Sequence, residues 1–209
     1  MRLKVFILVA IAFSTPSLIF SRENLFLQAN AGITFPVEPQ RLSDSWKNGL
    51  TVGGGVGYTL NNYFAIIGNV SYNYFGFSGK DLQLAIPPEY EIIEVKGEKS
   101  YLLDISINLR LSQFKVENTV RPFLSVGFGF LTQRIGKVEV SFWDFINDRD
   151  GGTTHLSGTG LSDKNFSLAL AVGTEIQVWE KFAIFIEGSF LTTSNSDNLY
   201  LPVKVGIRF

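Results

Sequence analysis

The sequence predicts an all-β fold: an eight-stranded antiparallel up-and-down transmembrane β-barrel. Three observations carry this. Apolar residues recur at every second position in eight segments divided by turn chemistry, no segment shows a helical period, and the composition is rich in aromatics (14%) and glycine (20 residues).

The first segment, residues 25–35, puts Leu25, Leu27, Ala29, Ala31, Ile33 and Phe35 on one face. In the second, 49–59, Leu50, Val52, Val56 and Tyr58 alternate with Gly49, Thr51, Gly53, Gly55 and Gly57. The third, 63–75, carries Phe64, Ile66, Val70, Tyr72 and Tyr74. Contrast is sharpest in the fourth, where Tyr101, Leu103, Ile105, Ile107, Leu109 and Leu111 alternate with Asp104, Ser106, Asn108, Arg110 and Ser112. The fifth sets Leu124, Val126, Phe128 and Phe130 against Ser125, Gly127 and Gly129. The sixth sets Phe166, Leu168, Leu170, Val172, Ile176 and Val178 against Ser167, Ala169, Ala171, Gly173, Glu175 and Gln177. In the seventh, Phe182, Ile184, Ile186 and Phe190 face away from Ala183, Glu187 and Ser189, with Phe185 and Leu191 blurring the pattern. The eighth, 199–209, is apolar at every odd position and ends on Phe209.

Alternation alone does not say which face is inside, because a soluble barrel with an oily interior alternates equally well. Volume decides. The interior of an eight-stranded barrel just accommodates side chains, so the Gly, Ala, Ser and Asn face fits within and six large aliphatics per strand do not. The large apolar face points outward, where a band of that size is stable only in lipid. Eleven residues at about 3.3 Å each, tilted by about 40°, stand about 28 Å tall, matching the ~25 Å apolar band of such barrels. Tyr58, Tyr63, Phe64, Tyr101, Phe166, Trp179, Phe182 and Phe209 lie near segment ends, where interfacial aromatic girdles form. In hydrocarbon every backbone polar group must be paired, so the first strand is expected to close on the eighth. Pro202 lacks an N–H and predicts a bulge or local irregularity in that last strand.

The connections alternate in length. Residues 60–62 and 179–181 are tight and 113–120 is intermediate, whereas 36–48, 76–98 and 132–164 are long and 192–198 is a shorter fourth. An even strand count then predicts short turns and both termini on the periplasmic side, with the longer loops extracellular. The two longest connections leave room for hairpins that prolong the sheet above the membrane.

Residues 1–21 read as a secretory signal peptide: Arg2 and Lys4 precede the apolar run 5–13, which is too short to span a bilayer as a helix. That leaves 22–209 as one outer-membrane barrel domain. The chain carries 18 basic and 19 acidic residues, and loss of Arg2 and Lys4 takes the net charge from −1 to −3, which excludes nucleic acid as an expected partner. With no cysteine there is no disulfide framework, thiolate chemistry or lipoprotein anchor.

Ala31-Gly32-Ile33-Thr34-Phe35-Pro36-Val37, Trp46-Lys47-Asn48-Gly49, Val52-Gly53-Gly54-Gly55-Val56-Gly57-Tyr58 and the closing Val205-Gly206-Ile207-Arg208-Phe209 resemble the small eight-stranded outer-membrane barrels, OmpX-like and OmpA-transmembrane-domain-like. The resemblance implies an integral protein of the cell outer membrane in a Gram-negative envelope. Its partners would be outer-membrane lipids, lipopolysaccharide and the barrel-assembly machinery, which reads a C-terminal signal here formed by Val205, Ile207 and Phe209. These motifs specify architecture and no activity.

The inward face carries three acids, Asp104, Glu175 and Glu187, and three bases, Arg110, Lys204 and Arg208. Unpaired charges in a narrow lumen would cost several kcal/mol each, so an ion-pair and hydrogen-bond network filling the barrel is expected, making it a plug; a small gated channel through that network is the alternative. His155 is the only histidine, and His155-Leu156-Ser157 resembles the His-x-Ser spacing of outer-membrane lipid A deacylases. Here the pair sits in a Gly-rich loop without the usual small polar residues after the Ser and without an acidic orienter at the family's distance, so no catalytic residue is assigned.

Asp144, Asn147, Asp148 and Asp150 before Gly151 suggest calcium, but Ile146 and Ser157 occupy positions where an EF-hand loop needs ligands. The glycines of the second segment lack a P-loop Lys. No metal and no cofactor is expected. Phe142, Trp143, Phe145 and Ile146, with Ile86-Pro87-Pro88-Glu89-Tyr90, form apolar loop clusters of the kind that contact an extracellular partner or pack on one another. The expected function is a non-enzymatic barrel with a filled lumen, acting structurally in the envelope or through its loops. A lipid-modifying barrel enzyme, a small channel and a soluble barrel holding a small apolar ligand are the alternatives.

Overall fold

The structure, a computed structural model, describes residues 24–38, 46–78, 90–113, 119–144, 146–155, 162–179, 182–194 and 199–209. The expected signal lies outside them. The described residues form β1 (Leu25–Glu38), β2 (Gly49–Thr59), β3 (Phe64–Phe75), β4 (Tyr90–Gly97), β5 (Ser100–Ser112), β6 (Val120–Arg134), β7 (Val138–Asp144), β8 (Arg149–His155), β9 (Ser162–Trp179), β10 (Phe182–Thr193) and β11 (Leu199–Arg208). Eight of these close an antiparallel barrel in the order β1-β11-β10-β9-β6-β5-β3-β2, and β4-β7-β8 form a separate three-stranded sheet. Each barrel strand falls on one of the eight alternating segments.

The side chains face as volume requires. Ile105, Leu168 and Val205 are 53%, 58% and 54% exposed around the perimeter, while Asp104 and Lys204, at 4% and 8%, are buried inside. The apolar belt continues through Val52, Ile66, Leu109, Val126, Val172 and Ile186. Such a continuous patch far exceeds what a water-soluble monomer exposes.

The seam pairs β1 with β11 from Gln28↔Arg208 onward, and Leu27 and Phe209 exchange both backbone hydrogen bonds at 2.7 and 2.9 Å. Pro202 keeps its register with Thr34 on the β1 side. Toward β10 the ladder is interrupted between Gly188↔Val203 and Leu191↔Tyr200 and resumes in the same register, so the missing N–H leaves a gap and no bulge. The bulge at this seam lies between Pro36 and Glu38.

At one end of the barrel the strands meet in the tight connections, where Leu60 N–H donates to Phe64 C=O and Trp179 packs on Phe182 with ring centroids 5.5 Å apart. β1 begins and β11 ends there. At the opposite end the second of the two longest connections forms a β7–β8 hairpin, and a strand of the first joins it. β4, from the first, pairs with β7 of the second, and β7 pairs in turn with β8. Alternation in β7 drives this: Val138 and Val140 are buried while Glu139 and Ser141 point away. Those valines join Trp46, Phe75, Leu102, Leu131, Leu191 and Tyr200 in a hydrophobic core that roofs the barrel mouth. Trp46 is held by its Nε1–H, which donates to Glu98 C=O at 3.0 Å, and by edge contact with Phe77.

Candidate functional site in the barrel interior

Inward positions of neighbouring strands stack into three layers. In the middle layer β5 contributes Asp104, whose carboxylate accepts from the Ser106 and Ser167 hydroxyls, both at 2.8 Å. Nearer the tight turns, Arg110 reaches across the lumen from β5 to Glu187 on β10, Nη2 to Oε2 3.4 Å. Lys204, the β11 residue paired with Glu187 in register, places Nζ 3.6 Å from its other oxygen. A second cluster joins Arg208 to Glu175 at 2.7 Å and Arg121 to the same oxygen at 3.9 Å. The structure thus brings Arg110, Glu187 and Lys204 together, sets Glu175 with Arg208, and gives Asp104 hydroxyl partners instead of an ion pair.

Arg121 was not legible as a lumen residue, because it precedes the clear alternation of β6. The interior also departs from the expectation that only small side chains enter. Phe26, Phe123 and Phe185 all point inward at the tight-turn end, and each sits directly opposite a glycine on the adjacent strand: Gly57, Gly173 and Gly206. A Cβ at any of these glycines would overlap the facing ring. The signal that marks them is an aromatic at an inward parity position whose register partner is Gly, which only the strand pairing reveals. The rings in turn cover the cations. The Arg110 guanidinium lies 4.1 Å from the Phe123 centroid and 5.6 Å from that of Phe185, and Arg208 lies 5.2 Å from that of Phe26.

Between this aromatic layer and the apolar roof lies a polar cavity of about 40 Å³, lined by Gln28, Asn30, Asn69, Ser71, Asp104 and Lys204 among others. Gln28 Oε1, Asn30 Oδ1, Asn69 Oδ1 and Arg110 Nε and Nη1 are buried without a protein hydrogen-bond partner. A polar space of this size would hold roughly three ordered waters, enough to satisfy those atoms.

Outside the lumen, His155 and Glu139 are register partners across β7 and β8, with Nδ1 3.7 Å from Oε1, and both are exposed. Ser157 lies outside the described residues. Asp144 accepts from the backbone N–H groups of Ile146 and Asn147, both at 3.1 Å, and from Asn147 Nδ2 at 2.7 Å, and Asp148 takes a left-handed φ of 50°. These contacts build the β7–β8 turn. Among the described residues no cluster of His, Asp and Glu could hold a metal. Phe142 packs against the roof core, while Phe145 and the 86–89 stretch lie outside the described residues.

A closed eight-stranded barrel with an apolar perimeter and an ionised interior defines an outer-membrane β-barrel protein. The chain belongs to the outer membrane protein beta-barrel domain family, which it matches over residues 6–209, and its place is the outer membrane. Among solved structures it is similar to the Neisserial surface protein A at 13% identity and a TM-score of 0.53, over 88% of this chain and 95% of that one. Ail, the attachment invasion locus protein of Yersinia pestis, aligns at 16% identity and a TM-score of 0.46, over 90% and 99%. The outer membrane enzyme PagL aligns at 13% and 0.41, over 88% and 98%. Likeness at these identities speaks to fold alone. No curated protein sequence matches.

Proposed function

We propose that the protein is a non-enzymatic integral barrel whose filled lumen makes it a structural element of the outer membrane, with both termini periplasmic and the β4-β7-β8 sheet presented outside as its contact surface. The carrying observation is the occluded interior: Arg110, Glu187 and Lys204 bridge the lumen, and an apolar core roofs it. Orientation follows from the tight turns and the β1–β11 ends sharing one side, since barrels of this kind keep short turns and termini in the periplasm. Lipopolysaccharide and other outer-membrane lipids would surround it, and the assembly machinery would read Val205, Ile207 and Phe209. The His155–Glu139 contact fits a solvated cross-strand pair, worth at most about 1 kcal/mol.

Purified protein in planar bilayers tests the occlusion. The expected result is no stable conductance above the lipid baseline. Robust, reproducible channels from the native protein would overturn the filled-lumen reading in favour of a channel.

A further inference from the structure

The lipid-facing surface has a chemically distinct sector at the long-connection end. Beyond the β1 bulge the exposed Glu38 stands opposite outward Leu199; the other described outward positions of the eight barrel strands are uncharged except at Arg134 on β6 and Lys164 on β9. Both are basic and both are exposed. Their strands pair with Arg134 opposite Ser162 and Thr132 opposite Lys164, so the two cations are diagonal neighbours, roughly 7 Å apart at the backbone. A charge on the lipid face costs about 2–4 kcal/mol at the midplane and about 0–1 kcal/mol at the interface, so two cations here mark the headgroup level.

The flanking residues are headgroup chemistry too. Tyr101 is the β5 partner of Arg134, and its hydroxyl lies 3.4 Å from Arg134 Nη1. Tyr72 stacks on Tyr101 with centroids 6.0 Å apart. Lys99, one residue ahead of β5, holds its ammonium 5.2 Å from the Tyr74 ring centroid. The Glu98 carboxylate accepts from Lys137 N–H at 3.4 Å. No carboxylate among the described residues lies within ion-pair distance of Lys99, Arg134 or Lys164. Directly below, toward the membrane centre, Phe130 and Phe166 pair across β6 and β9 with centroids 4.6 Å apart, and both are about 60% exposed. The opposite wall, β1, β2, β10 and β11, carries no outward cation among the described residues, its charge at this level being the acidic Glu38.

We infer that Lys99, Arg134 and Lys164, with the Tyr72, Tyr74 and Tyr101 hydroxyls, bind the phosphate of a phosphorylated lipid whose acyl chains lie on Phe130 and Phe166. A phosphate oxygen set accepts from two diagonal cations at once, and tyrosine hydroxyls donate to the rest. The site rests on the membrane reading above and is independent of what fills the lumen.

The test is native mass spectrometry of the folded protein exchanged into detergent containing equal amounts of a bisphosphorylated glucosamine disaccharide lipid and its dephosphorylated form. Wild type should retain the phosphorylated lipid selectively, retention should fall as salt rises, and excess inorganic phosphate should fail to displace it. R134Q/K164Q should retain it at least about tenfold less, whereas K96Q, on the roof sheet, should match wild type. Heat-modifiable gel migration certifies that each variant is folded, and the salt series on wild type tests the site without a variant. Equal retention of both lipids, salt-independent retention, or an unaffected R134Q/K164Q would overturn the proposal, as would displacement by inorganic phosphate, which would mark a free-anion site. Channel activity in planar bilayers would remove the filled-lumen reading and leave the lipid result unchanged.

Discussion

Glu187 is the residue on which the interior turns, because its two oxygens serve two cations, Arg110 and Lys204. Removing Arg110 leaves Glu187 still paired with Lys204. Removing Glu187 leaves both cations facing each other's field in a narrow, poorly solvated space. Glu187→Ala should therefore cost more than Arg110→Ala, about 4 against about 2–3 kcal/mol, in urea unfolding of the barrel in detergent. Equal losses would mean that the pair works through packing alone. The glycine opposite each inward ring makes a second residue-scale prediction. Gly57→Ala should lower stability by roughly 1–3 kcal/mol, because the new Cβ meets Phe26, and Phe26→Leu should relieve most of that cost in a double-mutant cycle.

At the scale of elements, the β4-β7-β8 sheet packs on a core shared with the barrel mouth and is not a continuation of the barrel ladder. Its stability comes from burying Val138 and Val140 against Trp46, Leu102, Leu131 and Tyr200. Val140→Asp places a carboxylate in that core and should open the roof while the barrel stays closed. Limited proteolysis should then cut between 135 and 161, with heat-modifiable migration retained. Loss of both together would show that roof and barrel fold as one unit.

All eight barrel strands were legible in the sequence, because lipid outside and a tight lumen inside impose period two on residues such as Ile105 and Asp104. The roof was not. β4 reads Glu-Ile-Ile-Glu-Val, with its register slipping between Ile92 and Glu94, and β8 contains Gly151 and Gly152, so neither shows the alternation that a two-faced strand displays. Phe185 and Leu191 blurred the seventh segment for the same reason that makes them informative. One fills a glycine notch and the other joins the roof core, both set by partners distant in sequence.

For the whole molecule, the closing seam reaches to Phe209. Phe209 contributes both backbone bonds to Leu27 at the end of the seam, and its exposed ring extends the apolar belt. Deleting Phe209 should lower the amount of heat-modifiable, membrane-inserted protein severalfold in cells, while refolding into detergent in vitro should be only mildly impaired, since two bonds of a long ladder are lost at about 1 kcal/mol each. An equal defect in both settings would assign the residue to stability alone.

The pairing of β4 with β7 ties two surface loops into a single exposed module. Variation or grafting in either loop is thereby constrained by the other: an epitope transplanted into 76–98 alone would strip β7 of one of its two neighbours. Surface diversity in relatives sharing this roof should therefore change in matched pairs of loops, and a vaccine or display scaffold built on this barrel would have to exchange both at once.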